Sequence, residues 1–78
     1  MLMKTFTLEI KVFDKAASVN IIDTTNNNDF IIHSMMNNTD EQTNIIILSV
    51  ASSLQNVELL KQKLQQLELI EKVTIQEK

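Results

Sequence analysis

Apolar and polar residues alternate without a break along the first stretch of this chain. In TFTLEIKVF, residues 5–13, every second position from Phe6 to Val12 is apolar, and threonine, glutamate or lysine stands between them. Successive side chains of a β-strand point to opposite faces of the sheet. The pattern therefore predicts a strand over Lys4–Phe13 with one buried face and one solvated face.

A helical period replaces this alternation after Asp14. Ala17, Ile21 and Thr25 recur every four residues, with Ile22 beside them, which places them on one stripe of a helix predicted over Lys15–Asn26. Aspartate is a preferred N-cap residue, so Asp14 is expected to cap this helix. The polar stretch NNND that follows is expected to end it.

Two further strands are predicted on either side of a polar turn. FIIHSMM predicts a strand over Phe30–Asn37, and TNIIILSVA predicts a strand over Thr43–Ala51. The stretch NNTDEQ, residues 37–42, predicts the turn between them. Because the chain has no Gly and no Pro, we expect asparagine or aspartate wherever a turn needs positive φ.

The second helix has the clearest pattern in the chain. One stripe of apolar residues at helical spacing predicts a helix over Ser53–Leu67: Leu54, Val57, Leu60, Leu64 and Leu67. Ser52 and Gln55 have the spacing of a capping box, in which each side chain accepts a backbone N–H near the helix start. The final stretch EKVTIQ predicts a strand over Lys72–Gln76, with its valine and isoleucine on one face.

The order strand, helix, strand, strand, helix, strand predicts an α+β fold. Its favoured arrangement is the ferredoxin-like βαββαβ sandwich, a four-stranded antiparallel sheet with two helices on one face. Right-handed crossovers place the first and third strands in the centre of that sheet. We expect one domain, residues 1–78, because the chain is short and its 44% hydrophobic residues suffice for one core.

The sheet surface opposite the helices, the outer face, is predicted to be apolar around the second and third strands. Alternation places five residues there: Ile31, His33, Met35, Ile45 and Ile47. Phe30, Ile32 and Ser34 are then expected to face the helices. A solvated antiparallel sheet carries polar residues on its open face, and exposed apolar patches usually mark an interface. We therefore expect a protein partner there, unless these are only scattered surface apolar residues.

The sequence offers little for catalysis or metal binding. His33 and methionine suit reduced copper, but alternation puts only Met35 on the same face as His33, and two neutral ligands do not complete a site. No nucleophile has a base in reach, and no glycine-rich loop is present for phosphate. We therefore expect no catalytic residue, no metal and no cofactor.

Charge and hydropathy narrow the class of partner. The net charge of −3, with the basic residues spread along the chain, argues against nucleic-acid binding. No apolar run reaches the roughly 18 residues needed to span a bilayer. The N-terminus also lacks the apolar stretch of a signal peptide. We expect a cytoplasmic protein with neither a nucleic acid nor a membrane as partner.

Two segments, DFIIHSMMNNTDEQTNIIILSVAS and VELLKQKLQQLELIEKVTI, resemble the ACT-domain small subunits of acetolactate synthase (acetohydroxyacid synthase). That family has Gly-Phe-x-hydrophobic-x-Ser, a polar hairpin, a valine-rich strand end, x-QL-x-KL and a final strand with valine. The matching residues here include Phe30, Ile32, Ser34 and Val50. The resemblance covers nearly the whole chain and is to the short form of that subunit, a single ACT domain.

The resemblance implies a regulatory subunit without catalytic groups. Its partner would be the large, thiamine-diphosphate-dependent subunit, which condenses pyruvate with a second keto acid in branched-chain amino-acid biosynthesis. The small subunit binds and activates the large one. Apart from the resemblance, the apolar outer face and a second strand without Pro or Lys predict a homodimer, formed by pairing of that edge strand or by covering of the outer face.

The resemblance also implies where an effector would bind. In many relatives an Asn-x-Pro-Gly loop after the first strand receives valine on its backbone at a dimer interface. The corresponding candidate ligand-binding residues are Asp14, Lys15, Ala16 and Ala17. Ala16 and Asp29 stand at glycine positions of the family, so a Cβ projects where a ligand must approach the backbone. The Asp14 carboxylate can itself accept the N–H groups that would bind the effector. A weak response to valine, or none, is expected.

Two other functions fit the same residues. One is a stand-alone ACT sensor of an amino acid, which would bind its ligand without affecting acetolactate synthesis. The other is a ferredoxin-like interaction module of another complex, which would be distinguished by the partner that it binds.

Overall fold

The computed structural model describes residues 4–39 and 44–77, and its elements follow the predicted order. They are β1 (Lys4–Val12), α1 (Ala17–Asn27), β2 (Ile31–Thr39), β3 (Asn44–Ser52), α2 (Leu54–Gln65) and β4 (Ile70–Glu77). Each end lies within two residues of the predicted one. Residues 40–43, which hold the second half of the predicted turn and the predicted start of the third strand at Thr43, lie outside the described residues.

The four strands form one antiparallel sheet in the order β2-β3-β1-β4. The central position of β1 and β3 and the edge position of β2 and β4 confirm the predicted topology. Both helices pack on the same face of the sheet, so the predicted α+β βαββαβ sandwich is confirmed.

The hydrophobic core lies between the helices and the facing side of the sheet. The sheet contributes alternate residues of its strands and the helices contribute one stripe each: Phe6, Leu8, Ile10, Ile46, Leu48, Val50, Val73, Ala17, Ile21, Val57, Leu60 and Leu64. Ile75 is partly buried and packs against the same cluster. The alternation of β1 and the two helical stripes are therefore confirmed, except that Ile22 in α1 and Leu54 at the start of α2 are exposed.

Thr25 is a polar residue on the buried stripe of α1. Its hydroxyl donates a hydrogen bond of 2.7 Å to the backbone carbonyl of Ile21, one turn earlier. Because the hydroxyl is bonded inside the helix, its burial leaves no unsatisfied polar group and costs little free energy.

Helix α1 begins later than predicted, with Ala16 as the N-cap and without a side-chain cap. The Asp14 carboxylate instead accepts the backbone N–H of Ala16 at 2.9 Å, and the Asp14 carbonyl accepts the N–H of Ala17 at 3.0 Å. The prediction of Asp14 as N-cap was wrong, because Asp14 lies two residues before the N-cap and its carboxylate closes a tight turn there.

Asp29 provides the only positive φ among the described residues, at 64°. The N–H of Asp29 bonds to the Asn26 carbonyl, and the N–H of Phe30 bonds to the Thr25 carbonyl, both at 3.2 Å. This pair of bonds is a Schellman motif, the helix end that usually has glycine at its left-handed residue. The expectation that aspartate or asparagine replaces glycine at such a turn is confirmed here.

The N-cap of α2 is Ser53, and the predicted cap at Ser52 was wrong. The Ser53 hydroxyl accepts the backbone N–H of Asn56 at 3.3 Å, so Gln55 is not the third residue of the helix. Ser52 is still paired with Lys4 as the last residue of β3 and is buried. It therefore lies in the sheet, one residue too early to cap the helix.

A β-bulge in β2 changes the direction of its side chains. Ile32 pairs with Val50 and Ser34 pairs with Ser49, so His33 is the extra residue. One extra residue shifts every later side chain to the opposite face of the sheet.

Because of this shift, Met35 pairs with Leu48 and packs against the core, whereas Met36 pairs with Ile47 and is 63% exposed. The predicted outward direction of Met35 was wrong, and so was the predicted direction of Ser34 toward the helices. Ile31 precedes the bulge and is exposed, as predicted.

Candidate functional site

The outer face carries apolar side chains next to a charged half. Met36, Ile45 and Ile47 adjoin one another and form what we call the apolar patch; Ile45 and Ile47 are half-buried. Ile31 lies apart from it, paired with Ala51 near the other end of β3. The patch therefore differs from the predicted one in two respects, because Met36 replaces Met35 and Ile31 lies outside it.

A polar row separates Ile31 from the apolar patch. Ser34 pairs with Ser49, which in turn pairs with Thr7 of β1. The hydroxyl oxygens of Thr7 and Ser49 are 3.4 Å apart. The row restricts the continuous apolar surface to one end of the outer face.

The charged half of the outer face lies on β1 and β4. Lys11 pairs with Ile45 on one side and with Lys72 on the other, and both lysines are exposed. Glu9 pairs with Ile47, and its carboxylate accepts a hydrogen bond of 3.4 Å from the Gln76 amide. Each partner of the apolar patch on β1 is therefore a charged residue.

His33 is exposed at the bulge of the edge strand. Met35, which was expected beside it, packs against the core instead. Within the described parts of the chain, no three histidine, aspartate or glutamate side chains come together as a metal site would require.

The candidate effector residues lie together between the end of β1 and the first residue of α1, in what we call the effector loop, residues 13–17. The backbone N–H of Phe13 bonds to the Leu69 carbonyl at 2.8 Å, which attaches the loop to the segment before β4. Asp14, Lys15 and Ala16 are exposed, and Ala17 is buried in the core. The contact with Leu69 joins distant parts of the chain, so no local sequence pattern could have revealed it.

Three backbone N–H groups at the start of α1 already have partners. The N–H of Ala16 bonds to the Asp14 carboxylate. The N–H of Ala17 bonds to the Asp14 carbonyl at 3.0 Å, and that of Ser18 bonds to the Lys15 carbonyl at 3.1 Å. An anion that approached this helix start would have to displace the Asp14 carboxylate.

A cleft of about 300 Å³ lies between the end of α1 and the side of α2. It is lined by Asn28, Asp29, Phe30, Ser52, Asn56, Leu59, Leu60 and Lys63. The Lys63 ammonium donates to the Asn28 side-chain oxygen at 2.7 Å, and the Asn28 amide donates to the Thr24 carbonyl at 2.7 Å. These bonds connect the two helices across the cleft.

Comparison with known proteins identifies the fold and leaves the family open. Neither the protein-family models nor the curated proteins give a match. Among solved structures, the chain is similar to the ACT domain of GTP pyrophosphokinase from Chlorobium tepidum, with a TM-score of 0.80 and 17% identity. The match covers 96% of this chain and 100% of that one. At this identity the likeness shows that the chain has the ACT-domain fold.

Two other solved structures have the same arrangement. A homoserine dehydrogenase from Thiobacillus denitrificans matches with a TM-score of 0.77 and 21% identity over 97% of this chain, which spans only 17% of that protein. The C-terminal domain of the MgtC protein from Mycobacterium tuberculosis matches with a TM-score of 0.72 and 14% identity over 97% of this chain and 88% of that one. The fold thus occurs both within larger proteins and as a separately solved domain.

The described helices are too short and too polar to cross a membrane.

Proposed function

We propose that this chain is a non-catalytic regulatory subunit that binds and activates the thiamine-diphosphate-dependent catalytic subunit of acetolactate synthase. The observation that carries the proposal is the apolar patch of Met36, Ile45 and Ile47, which neither helix covers, on a chain with the ACT-domain fold. The sequence resemblance to the short small subunits supports the same assignment. Burial of such a patch by a partner is favourable because it removes apolar surface from water.

The test is reconstitution with the acetolactate synthase catalytic subunit of the same organism. We expect a saturable increase in acetolactate formation when the wild-type chain is added. Ile47→Lys should abolish this increase, because burying an ammonium group in an apolar contact is costly. Val19→Lys is the matched control, since Val19 is 63% exposed on α1, on the other side of the molecule.

Failure of the wild-type chain to bind or activate the catalytic subunit would contradict the proposal. A chain that bound an amino acid without affecting acetolactate formation would instead be a stand-alone sensor. Specific binding to an unrelated complex would indicate an interaction module.

We also propose that the activated enzyme responds weakly to valine or not at all. The support is the Asp14 carboxylate, which occupies the Ala16 N–H at the start of α1. Its negative charge also repels the carboxylate of an amino acid. The melting temperature of the chain should therefore stay unchanged when valine, leucine or isoleucine is added.

Asp14→Ala tests the cause of this insensitivity. The substitution frees the N–H and removes the charge, so any residual valine binding should become tighter. Asp23→Ala, at an exposed position of α1, removes an equal charge and should have no such effect. A saturable rise in melting temperature of the wild-type chain with valine, accompanied by inhibition of the reconstituted enzyme, would show that the loop still binds the effector.

We propose, finally, that the chain forms a homodimer through the edge strand β2. This strand has no Pro and no Lys to prevent pairing with another strand. The bulge at His33 interrupts the pairing edge, so we expect pairing along the stretch that follows it. Sedimentation should show a dimer at tens of micromolar, roughly where weak homodimers become populated, and a monomer at that concentration would contradict this proposal.

A further inference from the structure

We propose that Lys11 and Lys72 select a partner surface in which carboxylates border an apolar centre, and that the outer face is where this partner docks. The inference rests on the proposed function, because the partner to be tested is the catalytic subunit. It adds the chemistry of the contact and the residues that recognise it.

The two lysines form a like-charge pair across neighbouring strands. Lys11 and Lys72 are directly opposite each other in the register of β1 and β4, and both are exposed. Directly opposed side chains have Cβ atoms about 5 Å apart, and like charges at that separation destabilise a sheet. The isolated domain therefore holds two ammonium groups in an arrangement that an anionic partner would stabilise.

The acidic residues nearest in the register do not neutralise this pair. Glu9 is two residues before Lys11, but its carboxylate bonds to Gln76. Gln76 follows Lys72 by four residues on β4, with Thr74 between them. Glu71 is exposed at the bulge next to Lys72. Among the side chains that the structure describes, neither lysine forms an ion pair with these or other carboxylates.

The charge of the outer face is opposite in sign to the charge of the chain. Among the residues that the strand registers place on the outer face, two lysines accompany one glutamate, Glu9. Glu71 has no partner in the register, and the whole chain has a net charge of −3. A positive face on an acidic protein attracts an acidic surface and accelerates its association. It also disfavours a second copy of the same face, because stacking two such faces would bring four lysines together. A different protein with an acidic border is therefore the better occupant.

The apolar patch and the lysine pair are contiguous. Ile45 is the partner of Lys11 in the register of β3 and β1. A partner that covered Ile45 and Ile47 would bring its border over Lys11 and Lys72. This is the arrangement of protein interfaces in general, with an apolar centre and a charged rim that sets specificity and association rate.

The experiment compares two double variants in binding to the acetolactate synthase catalytic subunit. K11Q/K72Q removes the pair from the outer face, and K61Q/K63Q removes the same charge from α2. We expect K11Q/K72Q to bind about five- to tenfold more weakly and to lose most of the salt dependence of the wild-type affinity. K61Q/K63Q should bind like the wild type. The melting temperature of K11Q/K72Q should not fall, since the substitution relieves repulsion.

The outcomes separate this inference from the proposed function. If the wild type binds and K11Q/K72Q matches it in affinity and salt dependence, the inference is overturned and the proposed function stands. If both double variants weaken binding equally, only total charge matters and the inference is again overturned. If the wild type does not bind, both are overturned. Self-association of the chain that Ile47→Lys disrupts and K11Q/K72Q strengthens would assign the outer face to a second copy and would also overturn the inference.

Discussion

Ile46 and Ile47 are neighbours in β3 with the same side chain, yet they lie in different environments. Ile46 is fully buried beneath the helices, and Ile47 is half-buried on the outer face. The side of the sheet that faces the helices stabilises the fold, since its side chains pack against two helical stripes. The outer face leaves comparable apolar side chains without a covering layer. The difference shows that neighbouring apolar residues of one strand can lie in the core and on an uncovered face of the sheet.

The largest expected effect tests this comparison within β3. Ile46→Ala should lower the free energy of unfolding by about 2–4 kcal/mol, because it removes buried methyl groups and leaves a cavity. Ile47→Ala should lower it by less than about 1 kcal/mol, since much of that side chain already contacts water. Urea denaturation of both variants measures the two values. Equal losses would mean that the outer face is as well packed as the core.

An intermediate effect tests the bulge that separates the faces in β2. Met35→Ala should cost about 1–2 kcal/mol of stability, because Met35 packs against the core, and Met36→Ala should cost less than about 0.5 kcal/mol. Thermal unfolding of the two variants gives the comparison. If the alternation continued through His33 without a bulge, Met36→Ala would cost more stability than Met35→Ala. A larger loss for Met36→Ala would therefore show that the bulge is absent.

The smallest expected effect concerns the turn that leads from α1 into β2. Asp29→Gly should raise the free energy of unfolding by about 0.5–1 kcal/mol, because glycine adopts positive φ without the steric cost of a Cβ. Asp29→Asn keeps a Cβ and should change stability less, through removal of a negative charge from the carboxyl end of the helix. A loss of stability in Asp29→Gly would contradict the Schellman geometry.

These contrasts show which structural features local sequence patterns can predict. The alternation of Phe6 to Val12 and the stripe of Val57, Leu60 and Leu64 identified buried residues correctly, because each regular element repeats its direction with a fixed period. The outward direction of Ile31 and of the half-buried Ile47 also followed from alternation. The candidate interface was therefore predictable up to the point where the period was interrupted.

The bulge is the point where that prediction failed. Nothing in FIIHSMM marks His33 as an extra residue, since the stretch has no glycine and alternation through it is continuous. In the sheet, Ile32 lies opposite Val50 and Met35 lies opposite Leu48, and both partners are buried beneath the helices. Three steps along β2 correspond to two along β3, so one residue of β2 must remain unpaired.

By itself the sequence determined the order of the six elements, the buried stripe of each helix and the need for an Asp or Asn at a left-handed turn, because periodicity and backbone sterics act over a few residues. Tertiary structure decided which of two adjacent serines caps α2, since pairing with Lys4 holds Ser52 in the sheet. It also decided that Lys11 and Lys72 lie directly opposite each other, because the register between β1 and β4 depends on how the strands pack beneath the helices. Contacts between residues far apart in the chain arise only when the whole sheet forms.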